Sequence, residues 1–276
     1  MKLRKVTAAS AVVLALAVSV TACGGDKKDD ASGGKKIKIG IKFDQPGLGL
    51  KQPDGSFSGF DVDVATYVAK QLGYQPNQIE WVETKSADRE NALQRGDVKF
   101  IAATYSITDE RKQKVDFAGP YLLAHQDLLV KKGSDITKGT DLNSKKLCSV
   151  TGSTSAQNVQ KTIAPKANLR PLSGYSECVA GLQSGAVDAL TTDDSILAGF
   201  AAQDKYKGQF QLAGLKLSNE NYGIGVKKGD SATVDKINKA LEKMVSDKSW
   251  DKAVAKNFGP AHYKNEPAPK IGDIVK

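Results

Sequence analysis

Three short stretches set charge or exposed backbone at the end of a regular element, the arrangement that holds small ions and zwitterions. Arg111 follows Ile107-Thr108-Asp109-Glu110 in the first turn of a helix that Thr108 opens. A cation there works against the helix dipole and gains little locally. It either serves a bound anion, for which a guanidinium's two parallel donors suit a carboxylate, or pairs on the surface with Asp109 or Glu110. Asp193 and Asp194 stand side by side where an apolar strand ends. Either both cap the helix over Ser195–Ala202, or Asp194 caps it and Asp193 holds a cation. Ser153 and Thr154 precede another helix, whose first N–H groups make an anion cradle. Catalysis has little to work with. There is no Gly-x-Ser-x-Gly, no Cys/His nucleophile pair and no metal-ligand cluster, and His125 and His262 are the only histidines. Neither an enzyme nor a cofactor is expected.

The elements that position these residues repeat. Leu93-Gln94-Arg95-Gly96-Asp97-Val98 returns as Leu182-Gln183-Ser184-Gly185-Ala186-Val187. Each copy ends a helix, turns at glycine and enters a short apolar strand, Phe100 to Ala103 and Ala189 to Leu190. Each strand then meets a polar cluster: Thr104, Ser106 and Thr108 in one, Thr191, Thr192, Asp193 and Asp194 in the other. One helix-turn-strand unit used twice predicts two α/β lobes whose strand ends face a shared gap. Ile37–Ile41 alternates as a first strand, and Phe60, Val64, Val68 and Leu72 stripe a helix that stops near Gly73. Leu128–Val130 reads as a strand leaving the first lobe and Tyr222–Val226 as one returning. Two crossings make a hinge. Helices over Val234–Val245 and Trp250–Phe258 close the first lobe.

The N-terminus carries an export signal. Lys2, Arg4 and Lys5 precede an apolar run from Ala8 to Val20 that is short for a membrane span. Val20-Thr21-Ala22-Cys23 resembles a lipoprotein signal box, which predicts cleavage after residue 22 and a lipid anchor on Cys23; the alternative is a plain secretory signal. Residues 23–36 are too polar to fold and read as a flexible tether. The net charge of +9 is spread along the chain with no basic cluster, which argues against nucleic acid. Cys148 and Cys178 form an even pair after export, either a disulfide or two buried thiols.

Gly59-Phe60-Asp61-Val62-Asp63-Val64-Ala65, then Gly96-Asp97, Ile107-Thr108-Asp109-Glu110-Arg111, Asp116-Phe117 and Pro120-Tyr121, then Gly152-Ser153-Thr154-Ser155 and Asp188 with Asp193, together resemble the blocks of one family. It is the polar amino acid class (family 3) of bacterial extracellular solute-binding proteins that serve ABC importers. The likeness runs from about Lys36 to Phe258, and Gly40-Ile41-Lys42-Phe43-Asp44-Gln45-Pro46-Gly47 is similar to the family's glutamate-binding branch in actinobacterial importers. The resemblance implies an α/β, type II periplasmic-binding-protein fold. Its first lobe covers 37–130 and 220–276 and its second 131–219, joined by two strands with ligand between them. It implies a monomer on the outer face of the cell membrane that captures L-glutamate or a related amino acid and passes it to a permease. Arg111 would take the α-carboxylate with Ser106 and the backbone around Thr104, Ser153 and Thr154 would grip it from the second lobe, and Asp193 would take the ammonium. Lys42 and Arg89 stand where acidic-amino-acid binders of the family carry cations, and with Ser86 they would hold a side-chain carboxylate. Three cations against Asp193 put the site at about +2, complementary to glutamate. A sensor that docks on a membrane receptor, or a small carboxylate dehydratase, would use the same clamp.

Overall fold

The computed structural model describes residues 35–276. The predicted signal peptide, the expected lipidation at Cys23 and most of the expected tether lie outside them. Alternation in Ile37–Ile41 produces strand β1, followed by a small antiparallel sheet of β2 (Asp44–Gln45), β3 (Gly49–Lys51) and β4 (Phe57–Ser58). Helix α1 (Phe60–Gln71) buries the Phe60, Val64 and Val68 stripe beneath β1, with Leu72 half-buried at its end. Then come β5 (Ile79–Glu83), α2 (Arg89–Arg95), β6 (Phe100–Ile101), the single turn α3 (Asp109–Lys112) and the long strand β7 (Val115–Lys131). The second half supplies β8 (Lys146–Val150), α4 (Thr154–Asn158), β9 (Asn168–Leu172), α5 (Tyr175–Ser184), β10 (Ala189–Asp193), α6 (Asp194–Ala201) and β11 (Phe210–Leu212). Strand β12 (Asn219–Lys227) leads to α7 (Ser231–Ser246) and α8 (Ser249–Phe258). No helix among the described residues is long and apolar enough to cross a membrane.

One sheet runs through the molecule in the order β5-β1-β6-β12-β7-β10-β8-β9, with β11 alongside β7. Strands β5, β1 and β6 are parallel at one end, and β10, β8 and β9 are parallel at the other. Between them β7 changes partner. Val115 to His125 pair with β12, whereas Gln126 to Val130 pair with β10. Leu128–Val130 therefore pairs within the second set of strands, and β7 changes partner just before that apolar run. A strand buried on both sides keeps an unbroken apolar pattern through a change of partner, so the pattern alone does not mark the crossing.

The first set packs its aromatic core on α1, α7 and α8. Phe60 meets Trp250 edge-on at 5.9 Å, and Phe258 lies 5.1 Å away. Leu128, Val130, Leu147 and Ala189 fill one side of the second set. Cys148 on β8 is bonded to Cys178 on α5, 30 residues on. Closing a loop of that length restricts the unfolded chain, so the Cys148→Ala/Cys178→Ala protein is expected to lose roughly 3.5 kcal/mol. Urea unfolding of both forms measures this, and equal midpoints would show that the bridge contributes nothing.

Candidate ligand site in the cleft

In both parallel sets the carboxyl ends of the strands face one gap, where open α/β sheets bind ligands. The ends of β5, β6, β8, β9 and β10, with the residues that follow them, bring Ser86, Thr104, Ser153, Tyr175 and Asp193 to the same small cavity, with Arg89, Ser106, Arg111, Thr154, Ser155 and Ile196 on its walls. Of the nine expected ligand residues, eight line this cavity. Lys42 lies in the neighbouring pocket with Asp44, Glu83 and Tyr175, and reaches the cavity through Ser86, to whose Oγ its Nζ donates at 2.9 Å.

Arg111 is buried and points inward. Its Nη1 donates to the Ser106 carbonyl at 2.8 Å and its Nη2 to the Gly152 carbonyl at 3.0 Å. Asp109 pairs instead with Lys112 at 2.7 Å, which removes the surface-pair alternative. The nearest acid is Glu90, 3.6 Å from Nε. Asp193 likewise leaves capping to others. It is the N-cap of α6 but makes no side-chain cap bond, while Asp194 Oδ1 accepts from the N–H groups of Ser195 and His125 and from the Tyr263 hydroxyl. Tyr222 Oη donates to Asp193 Oδ2 at 2.5 Å and Ser155 Oγ to Oδ1 at 3.5 Å. Ser153 caps α4 by accepting from Ala156 N.

Three cations gather at the other end. Arg89 lies 4.0 Å over the Tyr105 ring and Arg111 5.0 Å from its centroid. Arg89 Nη1 donates to the carbonyls of Ala103 and Thr104, while its buried Nε has no partner among the described residues. Burial and then the Arg111 charge hold the Arg89 pKa down to about 10. Burial and then Arg89 hold the Lys42 pKa well below its ordinary value. Such crowding is unfavourable until an anion joins it. The sequence count of +2 is incomplete, however, because Asp61 and Glu220 are also buried and Glu90 stands beside Arg111. Complementarity to an acidic side chain therefore rests on the cluster that Lys42, Arg89 and Arg111 make around Ser86 and Tyr105, which Glu90 and Asp61 balance in part, rather than on the sum.

Several of these groups carried no assigned role in the sequence reading. Tyr105, between Thr104 and Ser106, forms the platform under both guanidinium groups. Asp61 lies in the signature segment, where it reads as an ordinary first-turn acid of α1. Its carboxylate accepts from Thr104 N at 2.9 Å and Tyr121 Oη at 2.7 Å, pinning Thr104 at φ +46, a left-handed conformation disfavoured for threonine. Burial raises the Asp61 pKa to about 6, against the lowering effect of those bonds. A carboxyl raised by folding contributes most when neutral, so this stability is full below about 4 and is lost as pH rises through about 6. The expected total is about 3 kcal/mol. Asp61→Asn should flatten that slope in urea unfolding of the ligand-free protein; an unchanged slope would contradict the assignment.

The cleft is closed. Besides the Arg111–Gly152 bond, Ser176 N and Oγ both donate to Asp44 Oδ2 at 3.2 Å. A side chain on Gly152, at φ +79, would come within 2.8 Å of Ala87 backbone, so glycine is what permits this approach.

A two-part parallel α/β sheet with a charged cavity at its strand ends is the arrangement of an extracellular solute-binding protein. The chain matches the bacterial extracellular solute-binding proteins, family 3, over residues 37–260, and belongs to that family. It is 46% identical over 271 residues to the glutamate-binding protein GluB of Corynebacterium efficiens, covering 93% of this chain and 91% of that one. It is 39% identical to the ABC transporter glutamine-binding protein GlnH of Bacillus subtilis, covering 92% and 97%. Among solved structures, an ancestral arginine-binding protein bound to arginine superimposes with a TM-score of 0.75 at 37% identity, over 81% of this chain and 98% of the other.

Proposed function

We propose that this protein captures free L-glutamate outside the cell and presents it, clamped between two lobes, to the permease of an ABC importer. The observation that carries the reading is that one small buried cavity is lined by Arg111, Arg89 and Asp193, with Lys42 reaching it through Ser86. A zwitterion with an acidic side chain satisfies both signs of charge. Arg111 and the first N–H groups of α4 take the α-carboxylate, Asp193 the ammonium, and Lys42, Ser86 and Arg89 the side-chain carboxylate. Ser106 and the backbone at Thr104 complete the first-lobe wall. Because the carboxylate is held from both sides, binding and closure are one event. The names of the relatives above, binding proteins for glutamate and glutamine, support an amino acid as cargo and a role without turnover.

The hinge lies where β7 changes partner, between His125 and Gln126, and where the chain re-enters β12 at Asn219. A monomer held at the membrane by lipid on Cys23 completes the proposal. A thermal-shift screen of the twenty amino acids tests it. L-Glutamate at about 100 times its Kd should stabilise the protein by about 2.7 kcal/mol. No stabilisation by any amino acid would overturn the reading.

A further inference from the structure

A second buried carboxylate stands behind Asp193. Glu220 on β12 pairs with Ala124 of β7, and Asp193 on β10 pairs with Gln126 of the same strand. Positions 124 and 126 point to one face of the sheet, and so do their cross-strand partners. Tyr222, two residues after Glu220, reaches across β7 on that face to donate to Asp193. Glu220 Oε2 accepts from the hydroxyl of Thr154, on the cavity wall, at 3.0 Å, and Oε1 accepts from Ser218 Oγ at 2.8 Å. Asp193 is 4% exposed and Glu220 5%. Among the described residues every hydrogen bond to either carboxylate comes from a neutral hydroxyl. Two buried anions served only by hydroxyl groups form an electrostatically unfinished unit.

We propose that Glu220 is a positioning residue for the ligand's ammonium: its charge, on the same face of the sheet as Asp193, leaves Asp193 holding a proton while the cleft holds no cation, and that proton is released when the ammonium arrives. The ammonium retains its own three protons, and the displaced proton leaves to bulk water. The proposal rests on the reading that Asp193 takes the ammonium. Other groups facing Asp193 are Tyr222 on β12, Tyr175 on α5, Asp194 at the start of α6, Arg111 on α3 and Tyr263 near the C-terminus. Burial and then the Glu220 charge raise the Asp193 pKa well above its ordinary value; Asp194 adds to this, while the Tyr222 bond and Arg111 oppose it. The sign follows. Below the raised pKa the ligand must displace a proton, so affinity rises with pH by up to about tenfold per pH unit, in a window above the ordinary carboxylate range of about 4.

Titration calorimetry of the full chain with L-glutamate, in buffers of different ionisation enthalpy between about pH 5 and pH 7, tests this. Wild type should release close to one proton at the acid end. Glu220→Gln should release less than half as much, with a flatter dependence of affinity on pH, and Glu220→Asp should restore the release. Release by Glu220→Gln equal to wild type would overturn the proposal. So would wild-type binding with heats independent of buffer, an outcome that needs no variant to fold. That last result would leave the ammonium site itself intact, whereas no heat with any amino acid would instead reject the reading on which the proposal rests.

Discussion

Replacing Arg111 with alanine is expected to abolish tight amino acid binding, with a loss of about 3–5 kcal/mol, or roughly 100- to 3,000-fold in affinity. The size follows from burial. Arg111 is 8% exposed, and its guanidinium lies against the Tyr105 ring and donates to carbonyls on both sides of the cleft. Removing it deprives the ligand's carboxylate of its counter-ion and the closed cleft of the Arg111–Gly152 bond. Arg111→Lys keeps the charge but not the planar fork, so it should fall between the two. Calorimetry checks both variants. Affinity unchanged in Arg111→Ala would mean that the carboxylate sits elsewhere.

Lys42→Met separates selectivity from stability. In the ligand-free protein the Lys42 ammonium is buried beside Arg89 and has a single neutral partner, Ser86. Methionine of similar length relieves that crowding, so the ligand-free unfolding midpoint should hold or rise. A bound side-chain carboxylate changes the balance, because a hydrogen bond involving a charged group contributes about 1.5–3 kcal/mol. Glutamate affinity should therefore fall roughly 10- to 150-fold, and glutamine, whose side chain is neutral, should lose much less. Equal losses for the two ligands would remove the case for an acidic side chain at this end. Arg89 is a poorer probe, because its Nη1 holds the carbonyls of Ala103 and Thr104 and its loss would disturb the wall itself.

Much of this arrangement is legible in the sequence because it is written in local patterns. The repeated helix-glycine-strand unit marks the two parallel sets of strands, and the polar residues after each strand mark what those sets present. Eight of the nine expected residues fall around one cavity, but Ser86, Arg89 and Arg111 among them are found through the family resemblance rather than through these patterns. Where sequence fails, the cause is a contact between distant segments. Asp61 acts on Thr104, 43 residues on, and its i, i+4 surroundings on α1 give no hint of it. Glu220 and Tyr222 reach Asp193 only because β12 and β10 flank the same strand. The charge count failed likewise, since it admitted the residues already suspected and omitted acids that pairing brings in. The change of partner along β7 was invisible to hydropathy, because both halves of the strand are buried.

A crystal structure of the protein saturated with L-glutamate tests the central claim most directly. The prediction is one molecule in the cleft, its α-carboxylate on the Arg111 guanidinium, its ammonium within hydrogen-bonding distance of Asp193, and its side chain toward Lys42 and Ser86. An empty cleft, or a ligand whose ammonium lies away from Asp193, would contradict it.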